Sequence, residues 1–125
     1  MTSAPRLSIA TVVLDCIDAH GLAEFYCRLL GWEITFSEPG WVLLRSPYGG
    51  TGLAFQSEPW YQPPVWPEEP SRPHKMLHMD FRVNDLESGE AHALAVGATL
   101  AAYQPQDGVR VFLDPAGHPF CLFVD

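Results

Sequence analysis

The chain is written twice. "ATVVLDCID" and "AHGLAEFYCRLLGWEI" in the first half are matched by "LHMDFRVND" and "LESGEAHALAVGATL" in the second. Thr11 aligns with His78, Asp18 with Asp85, and Gly31 with Gly97 after a slip of one residue. Each half closes on a glycine-bearing turn and an apolar strand, "SPYGGTGLAFQ" and "DPAGHPFCLFVD". A repeat of this length is one supersecondary unit used twice, so it restricts the fold more than any single motif does.

Local rules give the unit its elements. Asp18 and Asp85 are suited to cap helices, because a short carboxylate accepts from the first free backbone N–H groups. Leu22, Phe25, Tyr26, Leu29 and Leu30 recur at helical spacing and predict one buried stripe. Gly31 follows as a left-handed terminator. In the second helix Ala91, Leu94 and Ala95 predict a weaker stripe that Gly97 ends. Alternation and composition predict strands at 7–15, 32–37, 41–46, 52–56, 76–83, 99–103, 109–113 and 120–124. "DPAG" at 114–117 reads as a turn with Pro second and Gly fourth. Each half is therefore β-α-β-β-β, and the fold class is α+β. The expected organisation is one domain over 1–125, with module one at 7–56 and module two at 75–125.

Between the modules lies "SEPWYQPPVWPEEPSRPH", residues 57–74, which holds six of the 12 prolines together with Trp60, Tyr61 and Trp66. A plain linker is polar and flexible. This one is stiff and aromatic, so it is expected to pack down, either as a cover over a core edge or as a lid on a pocket.

The net charge of −8 excludes a phosphate-neutralising patch and disfavours nucleic acid and anionic membranes as partners. "MTSAPRLSIA" has no apolar stretch behind a basic segment, and no apolar run is long enough to span a bilayer. Cys16, Cys27 and Cys121 form no zinc spacing, so free thiols in the cytoplasm are the expectation.

The candidate chemistry lies in "LHMDFRV", residues 77–83. Strand side chains alternate, so His78, Asp80 and Arg82 share one face, while Met79 and Phe81 take the core face. His78 and Asp80 are candidate acid–base groups. Asp80 has Arg82 and Arg110 as candidate ion-pair partners. Cys121, between Phe120 and Leu122, reads as a small buried hydrophobe, with nucleophile as the alternative. Trp41 reads as core or as the floor of a pocket. His118 in the turn "AGHPF" is expected to be exposed.

"TVVLDCIDAHGLAEFYCRLLGW", "HMDFRVNDLE" and "DPAGHPFCLF" together resemble the vicinal-oxygen-chelate superfamily, in particular its glyoxalase-like and bleomycin-resistance-like members. The resemblance covers roughly residues 7–125. It implies paired βαβββ modules forming a cupped mixed sheet, with helices on the convex side and a pocket in the cup. The metal enzymes of that superfamily take His or Gln from the first strand of each module and Glu from the last. Here the matching positions are Thr11, then Ala54 or Leu53, His78, and Cys121. Only His78 conforms. No cofactor is therefore predicted, and a divalent metal is disfavoured; if one binds, it falls to His78 and Cys121 with Asp80.

The function expected is small-molecule binding without the standard metal site. The implied ligand surround is Thr11, Trp41, Gln56, Trp60, Tyr61 and Trp66 together with His78, Asp80 and Cys121. The alternatives are a metal-dependent lyase, isomerase or dioxygenase with an altered ligand set, and a metal-free acid–base enzyme. The resemblance also implies a homodimer.

Overall fold

In the computed structural model, residues 4–125 are described; the first three residues, part of the segment expected to carry no export signal, lie outside the described residues. The first module runs β1 (Thr11–Cys16), α1 (Ala19–Leu30), β2 (Glu33–Glu38), β3 (Trp41–Arg45) and β4 (Gly52–Ser57). The second runs β5 (Met79–Arg82), α2 (Leu86–Ala95), β6 (Thr99–Leu100), β7 (Val109–Leu113) and β8 (Pro119–Phe123). They form two four-stranded sheets, ordered β1-β4-β3-β2 and β5-β8-β7-β6. The fold is α+β, as the repeat implied.

The duplication reaches down to the register. In each module the first strand pairs in parallel with the last, while the other pairings are antiparallel. Val13 lies opposite Ala54 and Asp80 opposite Cys121. The same sequence offset relates Thr11 to His78 and Asp18 to Asp85. Both aspartates cap as expected: Asp18 Oδ1 accepts from the Gly21 N–H at 3.1 Å, and Asp85 Oδ2 from the Ser88 N–H at 2.9 Å. Gly31 terminates α1 at φ 72°, its N–H donating to the Cys27 carbonyl at 2.9 Å.

One face of each sheet packs under the helices. Leu14 and Cys16 of β1, Val42 and Leu44 of β3, and Leu53 and Phe55 of β4 are buried there. Helix α1 serves both modules. Tyr26 stacks on Phe55 with ring centres 5.4 Å apart, and Phe25 lies 6.1 Å from Phe120 of β8. Phe120 in turn stacks on Phe112 and meets Phe81 edge-on. Full burial of side chains this large is worth about 1.5–3 kcal/mol each, so this aromatic cluster is a main source of cohesion between the halves.

The structure departs from the sequence expectations in the lengths of three strands and in the packing of α2. Strands β1, β5 and β6 are shorter than predicted, with Leu7 91% and Met76 95% exposed. These apolar residues continue the strand pattern but have no sheet partner. The buried stripe of α2 is not Ala91, Leu94 and Ala95. Ala93 is the buried residue, with Leu86, Gly89 and Val96 half-buried and Leu94 exposed. The reason is close approach: a Cβ on Gly89 would sit 3.2 Å from Leu122 and 3.3 Å from Val83. The helix packs through its small residues, which carry little periodic signal. Every residue of β2, an edge strand of the first sheet, is exposed. Among the described residues, no helix is long and apolar enough to cross a membrane.

Candidate functional site

The pleat puts His78, Asp80 and Cys121 on the sheet face away from the helices, while Met79 and Phe81 pack against the core. The three polar side chains line an open groove of about 530 Å³, closed on its other sides by Gln106, Val109 and Phe123. His78 Nε2 lies 3.2 Å from Asp80 Oδ1. One donor atom from each of His78, Asp80 and Cys121 falls within 4.8 Å of the others. Asp80 thus pairs with His78 rather than with either arginine. Arg82 binds Asp125 at 3.1 Å and Arg110 reaches Glu90 at 3.7 Å.

Burial, with the Asp80 carboxylate beside it, pushes the Cys121 thiol up to about 11. Near neutral pH this side chain is a protonated thiol, which weakens its reading as a nucleophile. His78 and Asp80 are both substantially exposed, and together they form a hydrogen-bonding pair open to a ligand.

The remaining predicted site residues are not gathered around this groove. Thr11 opens β1 opposite Gly52, and Trp41 lies opposite Gln56 on the first sheet. The Gln56 amide donates to Glu58 Oε1 at 2.9 Å. Trp60 is 83% exposed. Trp66 is held against the second module, its indole N–H donating to the Tyr103 carbonyl at 3.3 Å and Lys75 Nζ lying 4.8 Å from its ring centre. The strands form two separate sheets, and Thr11, Trp41 and Gln56 of the first do not line the groove of His78.

The connector packs down, on the last turn of module two. Tyr61 Oη donates to the Ala116 carbonyl at 2.9 Å and lies 3.2 Å from His118 Nε2. Pro63 packs on Gly117, where a Cβ would come within 2.7 Å of the proline Cβ and where φ is +92°. Only glycine meets both demands. His118 is not exposed as expected: its side chain is 16% exposed, and Nδ1 lies 2.9 Å from Asp114 Oδ2. Asp114 is buried and accepts from Tyr26 Oη at 2.7 Å and from the Ala116 and His118 backbone N–H groups. This Asp114–His118–Tyr61 chain was missed in the sequence. "DPAGH" reads as a turn, and the tyrosine that completes the chain lies 57 residues upstream of His118.

The superfamily's metal site draws donors from both modules. Here Ala54 is fully buried and carries only a methyl group, and Thr11 offers a hydroxyl. The residues present do not fit that hard-ion, oxygen-rich arrangement. The donors that do converge all come from β8 and from β5 with the residue before it.

Paired βαβββ modules with an open polar groove on the sheet face define a vicinal-oxygen-chelate protein. The model of the glyoxalase-like domain family matches residues 11–123, and the chain belongs to that family. Solved structures agree on the fold. A glyoxalase/bleomycin resistance protein/dioxygenase family enzyme from Burkholderia phytofirmans PsJN superposes with TM-score 0.71 at 16% identity, over 94% of this chain and 98% of that one. An antibiotic binding protein from a Streptomyces species gives 0.65 at 18% identity, over 98% of each chain. A lactoylglutathione lyase from Agrobacterium tumefaciens gives 0.63 at 18% identity, over 97% and 96%. No curated protein matches the chain by sequence.

Proposed function

We propose that the chain is a small-molecule-binding protein of the glyoxalase-like family that works without the superfamily's two-module metal site. The observation that carries this reading is the vacancy of donors in module one: Ala54 stands buried at the position related by the repeat to Cys121, and Val13 at that related to Asp80. The His78–Asp80 pair then serves as a polar anchor in a groove whose other walls include Val109 and Phe123. The fold is shared with an antibiotic binding protein, which supports a sequestering role. Isothermal titration against aromatic and polycyclic compounds tests the reading. Saturable binding that Asp80→Asn and His78→Gln weaken is expected, and no binding across a broad set contradicts it.

The same reading has the chain act as a cytoplasmic homodimer. β2 is an edge strand of the first sheet with every residue exposed, Phe36 among them, and a second copy is the natural cover for that open edge. Sedimentation equilibrium at micromolar concentration checks this, a species of twice the chain mass being expected.

A second reading is a metal-dependent enzyme with an altered ligand set. The convergence of His78, Asp80 and Cys121 favours it, since imidazole, carboxylate and thiol together suit a zinc-like ion. Elemental analysis of untagged protein purified without chelator separates the two. Stoichiometric metal, lost in His78→Ala, would establish the second.

A further inference from the structure

A second cavity lies at the seam between the modules, apart from the His78 groove. It has a volume of about 240 Å³ and is walled by Val13 and Asp15 of β1, by Tyr61 and Pro64 of the connector, and by Leu77 and His118 of module two. Its polar groups are not equivalent. His74, Lys75 and His118 are its basic side chains, and each already faces a carboxylate that does not line the cavity. His74 Nδ1 lies 3.5 Å from Glu68, Lys75 Nζ lies 2.7 Å from Glu68, and His118 Nδ1 lies 2.9 Å from Asp114. Asp15 is the acid of the lining. Among the described residues, no lysine, arginine or histidine nitrogen comes within ion-pair distance of its carboxylate. The cavity therefore presents one uncompensated negative charge beside apolar surface, in a chain whose net charge is −8.

We propose that this cavity is a binding site for a small organic ammonium ion with an apolar body. Asp15 takes the ammonium group, in a charge-assisted hydrogen bond. Tyr61 borders the same cavity, and its hydroxyl is fixed by Ala116 and His118, so this wall is in place before the ligand arrives. Val13, Pro64 and Leu77 receive the apolar part; Val13 and Leu77 are 38% and 44% exposed without a ligand. The volume lies below the roughly 300–1,000 Å³ of sites for drug-sized molecules, which limits the occupant to a single ring or a short chain.

Phenethylammonium is the probe, with 3-phenylpropionate and 2-phenylethanol as the anionic and neutral counterparts. Binding is read by chemical-shift changes in the full chain. Saturable binding of the ammonium alone is expected, with shifts at Val13, Tyr61 and Leu77. Asp15→Asn should weaken it by about tenfold while the rest of the spectrum is retained, as loss of a hydrogen bond to a charged group implies. Asp80→Asn, in the other groove, should leave it unchanged, so failure here and failure of the proposed function are told apart. No shift up to about 10 mM ligand, equal binding of the carboxylate, or unchanged binding in Asp15→Asn would each overturn the proposal.

Discussion

Tyr26, on the first module's helix, donates to the buried carboxylate of Asp114, at the last turn of the second module, at 2.7 Å. This bond joins the two copies of the repeat, and it has no counterpart in the repeat itself. Tyr26→Phe keeps the ring stacked on Phe55 but leaves Asp114 one donor short. The expected loss is about 1.5–3 kcal/mol, the range for hydrogen bonds to charged groups. Chemical denaturation with an unchanged m-value measures it. A variant as stable as the parent would show that Asp114 is adequately bonded by His118 and the turn alone.

Gly117 carries a second structural expectation. Its φ of +92° and its 2.7 Å clearance to Pro63 both reject a side chain. Gly117→Ala should cost about 1–3 kcal/mol, as strain at such positions does, and should lift the connector from the turn. Limited proteolysis reads the second effect directly, as faster cutting within residues 57–74. Resistance equal to the parent would mean that the turn can yield without releasing the loop.

The two connector tryptophans should behave differently. Trp60 is 83% exposed, so Trp60→Ala should stay within about 0.5 kcal/mol of the parent. Trp66 is bonded to Tyr103 and covered by Lys75, so Trp66→Ala should destabilise by about 1–3 kcal/mol. Thermal melts of both settle the order, and equal shifts would contradict it.

Alkaline pH should destabilise the fold through its thiols. Cys16 and Cys121 are each raised from an ordinary 9 to about 11, chiefly by burial, with nearby carboxylates adding to it. A raised folded value gives stability that is complete below the unfolded value and is lost as pH rises through the folded one. The melting temperature should therefore fall between pH 9 and about 11, and less so in Cys121→Ala. At neutral pH, alkylation of Cys121 should be slow. Rapid labelling there would revive its reading as a nucleophile.

The repeat made the architecture legible, because the caps at Asp18 and Asp85 and the stop at Gly31 are local signals that survive in any context. The inward face of Met79 and Phe81 and the outward face of His78 and Asp80 were legible for the same reason, since period two holds wherever one face is buried, whereas Leu77, expected with the core face, is 44% exposed. The packing of α2 was not, because it runs through Gly89 and Ala93, whose value lies in what they omit. The assembly of the site was legible only within module two. His78 and Asp80 are two residues apart, and the terminal strand that places Cys121 beside them is read from the repeat. Trp60 and Trp66 follow no period, and their positions depend on how a proline-rich segment meets Gly117 and Tyr103. The Asp114–His118–Tyr61 chain joins residues remote in sequence and leaves no local trace.

The central claim is that binding needs no metal, and one comparison tests it most directly. The affinity of a compound found by titration is measured by calorimetry before and after exhaustive chelation, with metal content determined on the same samples. Equal affinity in both, with less than stoichiometric metal throughout, is the result expected from the buried Ala54 and the donor-poor first module. Stoichiometric metal before chelation and lost binding after it, restored by adding the ion back, would contradict the account and assign His78, Asp80 and Cys121 as ligands.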